Sequence, residues 1–221
     1  MKVMAMSDMH IGTTADYTKL SRFLDLVEIS KPDVLVGVGD NFELVWEESL
    51  NHILQWQPAA EVVSKMQRIA TYIPTMLIPG NHDWFLKTYQ AQLYPIRVVD
   101  AQMQFDNIIY MHGDQFDPTV RWWWNPLQKI FKTFLPSLYT HIWGTPYELK
   151  SAGKDKDYRA LVGSVESSYQ VWLNGRSGVF GHTHSEFLKY RRSQWIANTG
   201  DMFDSCSYLT ITDGKPEIGW I

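Results

Sequence analysis

Seven side chains able to hold a divalent metal ion are spaced through this sequence in five short clusters. They are Asp8 with His10, Asp40, Asn81, His112, and His182 with His184. They offer carboxylate, imidazole and amide donors and no thiolate, a mixed nitrogen and oxygen set that suits Mn, Fe, Zn or Mg better than a structural zinc. Two such ions about 3.5–4 Å apart can clamp the attacking and leaving oxygens of a phosphoryl transfer. A carboxylate has two oxygens and can bridge the pair, and Asp40 is the candidate for that place. Taken singly the motifs are weak. Asp8-Met9-His10 can be a surface loop, Gly39-Asp40 a turn, and Gly80-Asn81-His82-Asp83 a turn with an Asn helix cap. Their force lies in their number and order: five of the seven histidines fall in these motifs, leaving only His52 and His141.

Each cluster follows a short apolar run that must position it. Residues 3–6 precede Asp8, Val34–Val38 precedes Gly39-Asp40, and Thr75–Ile78 precedes Gly80 to Asp83. Ile108–Met111 precedes His112, and Val179-Phe180 precedes Gly181-His182-Thr183-His184. Helical spacing alternates with these runs. It places Leu20, Phe23, Leu24 and Val27 on one face over residues 18–29, and Val62, Val63, Met66, Ile69 and Ala70 over 59–72. A β-α-β-α-β order predicts an α/β fold with adjacent parallel strands, whose carboxyl ends open the crevice where sites form. Asp106-Asn107 suits a tight hairpin turn between Gln102–Phe105 and Ile108–Met111. Further strands are expected over 178–180, Phe187–Arg191, 195–197, 208–212 and 217–221. A helix ends over 165–173 at Asn174-Gly175, and residues 150–157, polar and charge-mixed, read as a mobile loop. The expected architecture is a two-sheet α/β sandwich flanked by helices. It is one domain over residues 1–221, with an aromatic-rich helical cap insert at about 115–174.

Composition bounds the partners. A formal net charge of -4 and a pI near 6.0 give no basic footprint for duplex nucleic acid, so no stable nucleic-acid partner is expected. Cys206 is the sole cysteine, which excludes an intrachain disulfide and fits a reducing cytoplasm. The apolar start ends at Ser7-Asp8, too short for a signal-peptide core, and no run reaches the length of a membrane span. Aromatic residues make up 14% of the chain and crowd its middle, where Trp122, Trp123 and Trp124 are consecutive. Successive helix side chains point about 100° apart, so at least one of the three faces away from a core. They are read either as ordinary core or as a substrate-binding cap that also offers a peripheral contact to lipid.

The ordered motifs Asp-x-His, Gly-Asp, Gly-Asn-His-Asp, His-Gly and Gly-His-Thr-His resemble the calcineurin-like metallophosphoesterase family from Asp8 to about Ser207. The resemblance implies one metal on Asp8, His10, Asp40 and His184 and another on Asp40, Asn81, His112 and His182, with a hydroxide attacking phosphorus in line. His82 would stabilise the transition state or protonate the leaving oxygen, and Asp83 would orient it. Gly39-Asp40-Asn41-Phe42-Glu43-Leu44, His112-Gly113-Asp114 and Asn198-Thr199-Gly200-Asp201 also look like the UDP-2,3-diacylglucosamine diphosphatase branch, whose members usually use manganese. That branch carries Arg after the metal-binding Asn, where this chain has His82. The expected activity is hydrolysis of a phosphodiester or pyrophosphate, with a nucleotide-linked or lipid-linked substrate and two Mn ions. A non-catalytic metal-binding scaffold and a nuclease are the competing readings. Glu43, Asp114, Asn198 and Asp201 each read as a ligand-orienting neighbour or as plain turn chemistry.

Overall fold

This computed structural model of the protein describes residues 1–12, 15–47, 49–117 and 155–221, with side chains from 159 onward in the last stretch. Trp122, Trp123 and Trp124, and the expected insert from residue 118 through 154, lie outside the described residues.

Strand β1 (Lys2–Met6) shows why the sequence builds layers. Successive strand residues point to opposite faces. Val3 and Ala5 join one apolar cluster, Met4 and Met6 another, and all four are buried. Both faces of β1 are therefore covered, as expected of a central strand in an α/β protein. Its parallel neighbour β2 (Val34–Val38) pairs Val3 with Val34, and β3 (Thr75–Ile78) and the short β4 (Arg97–Val98) continue in parallel. On the other side β1 pairs antiparallel with β10 (Ser207–Thr212), and β11 (Lys215–Trp220) closes a six-stranded sheet of order β11-β10-β1-β2-β3-β4. A second sheet has the order β5-β6-β7-β9-β8. In it β6 (Ile108–Met111), β7 (Ser177–Phe180) and β9 (Gln194–Asn198) run parallel, flanked by antiparallel β5 (Gln102–Phe105) and β8 (Phe187–Arg191).

Three apolar layers hold this stack. Val3, Ala5, Val36 and Ile78 of the first sheet meet Ile108, Tyr110, Val179 and Ala197 of the second. Outside the first sheet, α1 (Tyr17–Ser30) and α3 (Gln57–Ala70) present Phe23, Leu24, Val63 and Met66 to Met4, Met6, Leu35 and Leu77. Outside the second, helix α5 (Asp155–Leu173) lays Val165, Tyr169 and Leu173, spaced by four, on Ile109, Phe180 and Ile196. Each fully buried aliphatic or aromatic side chain here contributes about 1.5–3 kcal/mol. Short helices α2 (Leu50–Ile53) and α4 (Gln90–Leu93) and the 3-10 turns Leu86–Tyr89 and Asp114–Phe116 complete the described elements.

The two-sheet α/β architecture flanked by helices is the one the apolar runs predict. Helix α3 begins two residues earlier than its periodicity suggests, because Pro58 occupies its first turn, where a missing N–H costs nothing. The expected loop over 150–157 gives way at Asp155, where α5 begins. Strand β4 carries no readable alternation, having two residues.

Candidate metal centre

The five strand ends that carry ligand clusters come together. Beyond β1 and β2 the chains stay zipped together. The Asp8 N–H donates to Gly39 O (3.1 Å), the His10 N–H to Asp40 O (2.9 Å), the Ile11 N–H to Asn41 O (3.0 Å) and the Glu43 N–H to Ile11 O (3.1 Å). That ladder fixes Asp8 and His10 beside Asp40. The second sheet is tied in by the Gly181 N–H on His112 O (2.9 Å) and by the His182 N–H on Asp8 Oδ2 (3.0 Å). Gly39, at φ +87, is required: a Cβ there would lie 2.2 Å from the His112 ring. Gly80 is required too, since its Cβ would lie 2.3 Å from Asp40 Oδ1.

Three triads result, each with its donor atoms within 4.8 Å of one another: Asp8, His10 and His184; His10, Asp40 and His82; and Asp40, His112 and His182. Asn81 Oδ1 lies 3.2 Å from His112 Nε2, so the amide joins the third group. All seven candidate ligands are thus together, with Asp40 shared by the second and third triads and its Oδ2 4.0 Å from His10 Nε2 of the first. Backbone N–H groups hold one oxygen of each key carboxylate: His182 N–H on Asp8 Oδ2, and His82 N–H on Asp40 Oδ1 (2.7 Å). The other oxygens face the imidazoles, with Asp8 Oδ1 3.2 Å from His184 Nε2 and Asp40 Oδ2 3.0 Å from His112 Nε2. His10 Nε2 is buried with no hydrogen bond, and Asp8 Oδ1 is buried with only the contact to His184. Leaving a buried polar group unpaired costs about 1–3 kcal/mol. Both point into the Asp8, His10 and His184 triad, which is the arrangement a cation would satisfy. This donor set therefore fits a dinuclear site of nitrogen and oxygen ligands.

Backbone strain concentrates here. Asp8, His10, Asp40, His182 and His184 all have φ between 44° and 68°, a region non-glycine residues rarely occupy. Such residues persist only where the surroundings over-determine them, and they cluster at functional sites.

The ligand histidines are steered from behind by carboxylates, as metal-binding imidazoles commonly are. Glu43, 4% exposed, binds His10 Nδ1 at 2.7 Å and His82 Nδ1 at 2.8 Å. Asp117 Oδ2 lies 2.8 Å from His182 Nε2, and Asp201 Oδ2 lies 3.4 Å from His184 Nδ1. Asp83 does not orient His82. Its Oδ1 accepts from the Gly80 N–H (2.6 Å) and its Oδ2 from the Asn41 N–H (2.9 Å), the Asn41 side chain (3.1 Å) and the Phe42 N–H (3.2 Å). It is a clasp between the loops after β2 and β3, and adjacency in sequence pointed to the wrong carboxylate. Asn198 also clasps, donating to Gly181 O (2.8 Å) and Thr183 Oγ1 (2.9 Å). Asp117 had no local signal beyond its position five residues after His112.

The charges are strongly coupled. Burial opposes ionisation of Asp8, Glu43 and Asp40, but the imidazoles outweigh it. His184 brings Asp8 to about 2, His82 and His10 bring Glu43 to about 2, and His112 and His82 hold Asp40 well below its usual range. Burial likewise opposes protonation of His82 and His184. Glu43 and Asp40 raise His82 to about 9, and Asp8 and Asp201 raise His184 to about 10. Asp83 moves the other way, to about 6, through burial and the nearby Asp40 charge.

Residues 1–186 match the family model described as calcineurin-like phosphoesterase. A Danio rerio protein described as a transmembrane protein with metallophosphoesterase domain is 31% identical over 86 residues, 38% of this chain and 17% of that protein. A Bos taurus protein of the same description is 28% identical over 85 residues, again 38% of this chain and 17% of that one. The match thus spans under a fifth of these relatives' length. Among solved structures, the E. coli phosphoesterase YfcE is similar at a TM-score of 0.50 and 19% identity, covering 96% of this chain and 89% of that one. An archaeal phosphodiesterase is similar at a TM-score of 0.52 and 14% identity, covering 100% and 99%. These two likenesses are of fold. Among the described residues no helix is long and apolar enough to cross a membrane.

Proposed function

The chain belongs to the calcineurin-like phosphoesterase family, and we propose that it is a dinuclear-metal phosphohydrolase acting on a phosphodiester or pyrophosphate bond. The observation that supports this reading best is a buried His10 Nε2 with no hydrogen bond beside an Asp8 Oδ1 paired only with His184, both aimed into one triad while Asp40 links the other two. In this reading Asp8, His10, Asp40 and His184 hold one divalent cation, and Asp40, Asn81, His112 and His182 hold the other. Such a pair supplies Lewis-acid polarisation of the phosphoryl oxygens and lowers the pKa of an attacking water.

The chain's own contribution beyond the ligands is a proton at a defined atom. Glu43 occupies Nδ1 of His82, so Nε2 is the nitrogen left to give a proton to the leaving oxygen. In the metal-free chain Glu43 and Asp40 raise His82 to about 9 against the effect of burial, the direction that holds that proton at neutral pH. General acid help of this kind is worth typically about 10²–10⁴-fold. Manganese is our choice of resident metal. A nucleotide-linked pyrophosphate is our choice of substrate, resting on the likeness of residues 39–44, 112–114 and 198–201 to the UDP-2,3-diacylglucosamine diphosphatase branch. Trp122, Trp123 and Trp124 would hold its apolar part, and a peripheral lipid contact through them would suit a lipid-linked substrate.

The test compares Asp40→Asn and His82→Ala with wild type on bis-nitrophenyl phosphate and on UDP-diacylglucosamine, with bound metal measured by atomic emission. Asp40→Asn should lose metal and turnover while keeping its far-UV spectrum. His82→Ala should keep both metals and lose turnover; undiminished turnover would remove His82 from the reaction. Hydrolysis of the diester alone would discard the nucleotide-linked substrate.

A further inference from the structure

A second polar cavity lies far from the metal centre. It has a volume of about 490 Å³ and lies between the C-terminal end of α5 and the β8–β9 hairpin. Four of the twelve residues that line it are cations, Arg176, Lys189, Arg191 and Arg192, and none is a carboxylate. In a chain of net charge -4 with 20 lysines and arginines, that concentration is not the average surface. The strands that carry His182 and Asn198 toward the metal centre run in the opposite direction from this cavity. Gln194 and Arg176 sit at their amino ends, on the order of 15 Å from the ligands at a rise of about 3.3 Å per strand residue.

The cations differ in how they are held. The Arg176 Nε–H donates to Leu173 O (3.0 Å), and its guanidinium lies 5.5 Å from the centre of the Trp172 ring, so the group is fixed before any ligand arrives. Lys189 is paired with Glu166 and lies 4.9 Å from the Phe187 ring centre. The Arg191 and Arg192 side chains make no hydrogen bond or ion pair with any described residue. Arg192 sits in the left-handed region at φ 58, in the tight turn that joins β8 to β9. Unpaired guanidinium forks beside an anchored one match the geometry of phosphate oxygens, which they bind bidentately. The Asn174, Ser193 and Gln194 side chains on the same wall add neutral donors. The volume falls within the range of small-ligand sites, about 300–1,000 Å³, and exceeds what a single inorganic ion fills.

We propose that this cavity is a binding site, separate from the metal centre, for a small organic anion carrying more than one phosphate group. Its core recognition is Arg191 and Arg192 against the phosphates, with Arg176 as the fixed third contact.

The experiment is isothermal titration calorimetry with inorganic pyrophosphate on the full chain carrying Asp40→Asn, which keeps the metal centre silent. The same titration is run with Arg191→Glu and Arg192→Glu added. Saturable one-site binding in the first, weakened at least tenfold in the second, is the expected result, with both chains melting alike. Absence of saturable heat in the first chain, or equal affinity in the two, would overturn the proposal. Wild-type crystals soaked in tungstate, a heavy phosphate analogue, keep the question open to decision if Asp40→Asn does not fold. An anomalous peak between Arg191 and Arg192 supports the site, and peaks confined to the metal centre refute it.

Discussion

Glu43 joins two jobs in one carboxylate, since it holds both a candidate ligand, His10, and His82, the proton carrier of the proposed reaction. Glu43→Gln keeps the shape but removes the charge. We expect metal affinity or activity to fall about 10–100-fold, the usual loss for an outer partner of a metal ligand. Losing the anion lowers the His82 pKa, so the alkaline limb of the pH–rate profile should move to lower pH; an unmoved limb would separate Glu43 from the proton step. The metal-free centre also carries a definite pH dependence. His82 and His184 have folded pKa values near 9 and 10, above the ordinary 6.5. Their protonation stabilises the folded chain fully below pH 6.5, and that stabilisation is lost as pH rises through 9 and 10. The melting temperature of EDTA-treated protein should therefore fall between pH 6.5 and 10. A metal needs neutral His184, so apparent metal affinity should rise over the same interval, with proton release detectable in buffers of differing ionisation enthalpy.

At the scale of elements, the loops after the strands are shaped by what cannot fit. Gly39→Ala would place a Cβ into the His112 ring at a positive φ. Strain of about 1–3 kcal/mol follows from the backbone alone. We expect a lower melting temperature together with loss of one of two bound metals, measured by metal analysis after gel filtration. Legibility in the sequence divides at this same scale. Val34–Val38 and Thr75–Ile78 are readable end to end because burial on both faces makes them short uninterrupted apolar runs. The Asp106-Asn107 turn is readable because both residues tolerate the left-handed conformations they adopt, at φ 51 and 60. The candidate ligands are readable because each follows such a run directly. What holds them is readable only in part: Glu43 and Asp201, read as possible ligand-orienting neighbours, do meet His10 and His184, but other pairings are hidden. Glu43 meets His82 across 39 positions, and Asp117 meets His182 across 65, so no local pattern announces either pair. Asp83, next to His82, instead bonds to the loop after β2.

For the molecule as a whole, the centre lies on the seam between two sheets. Asp8, His10, Asp40 and Asn81 extend from the first, and His112, His182 and His184 from the second. Cations bound there rivet the halves together, and their removal should destabilise the fold globally rather than locally. At a free metal concentration about a thousandfold above Kd, the loss is about 4 kcal/mol. In a chain of this size that corresponds to a melting temperature lower by about 8–16 °C. Differential scanning calorimetry with and without EDTA checks it, and an unchanged transition would place the ions outside the seam. The left-handed backbone at Asp8, His10, Asp40, His182 and His184 sets heat resistance against turnover. In metal-depleted medium, where no bound ion rewards the ligands, a library screened for survival at high temperature alone should drift toward glycine and asparagine at those five positions, yielding hardier and inert descendants.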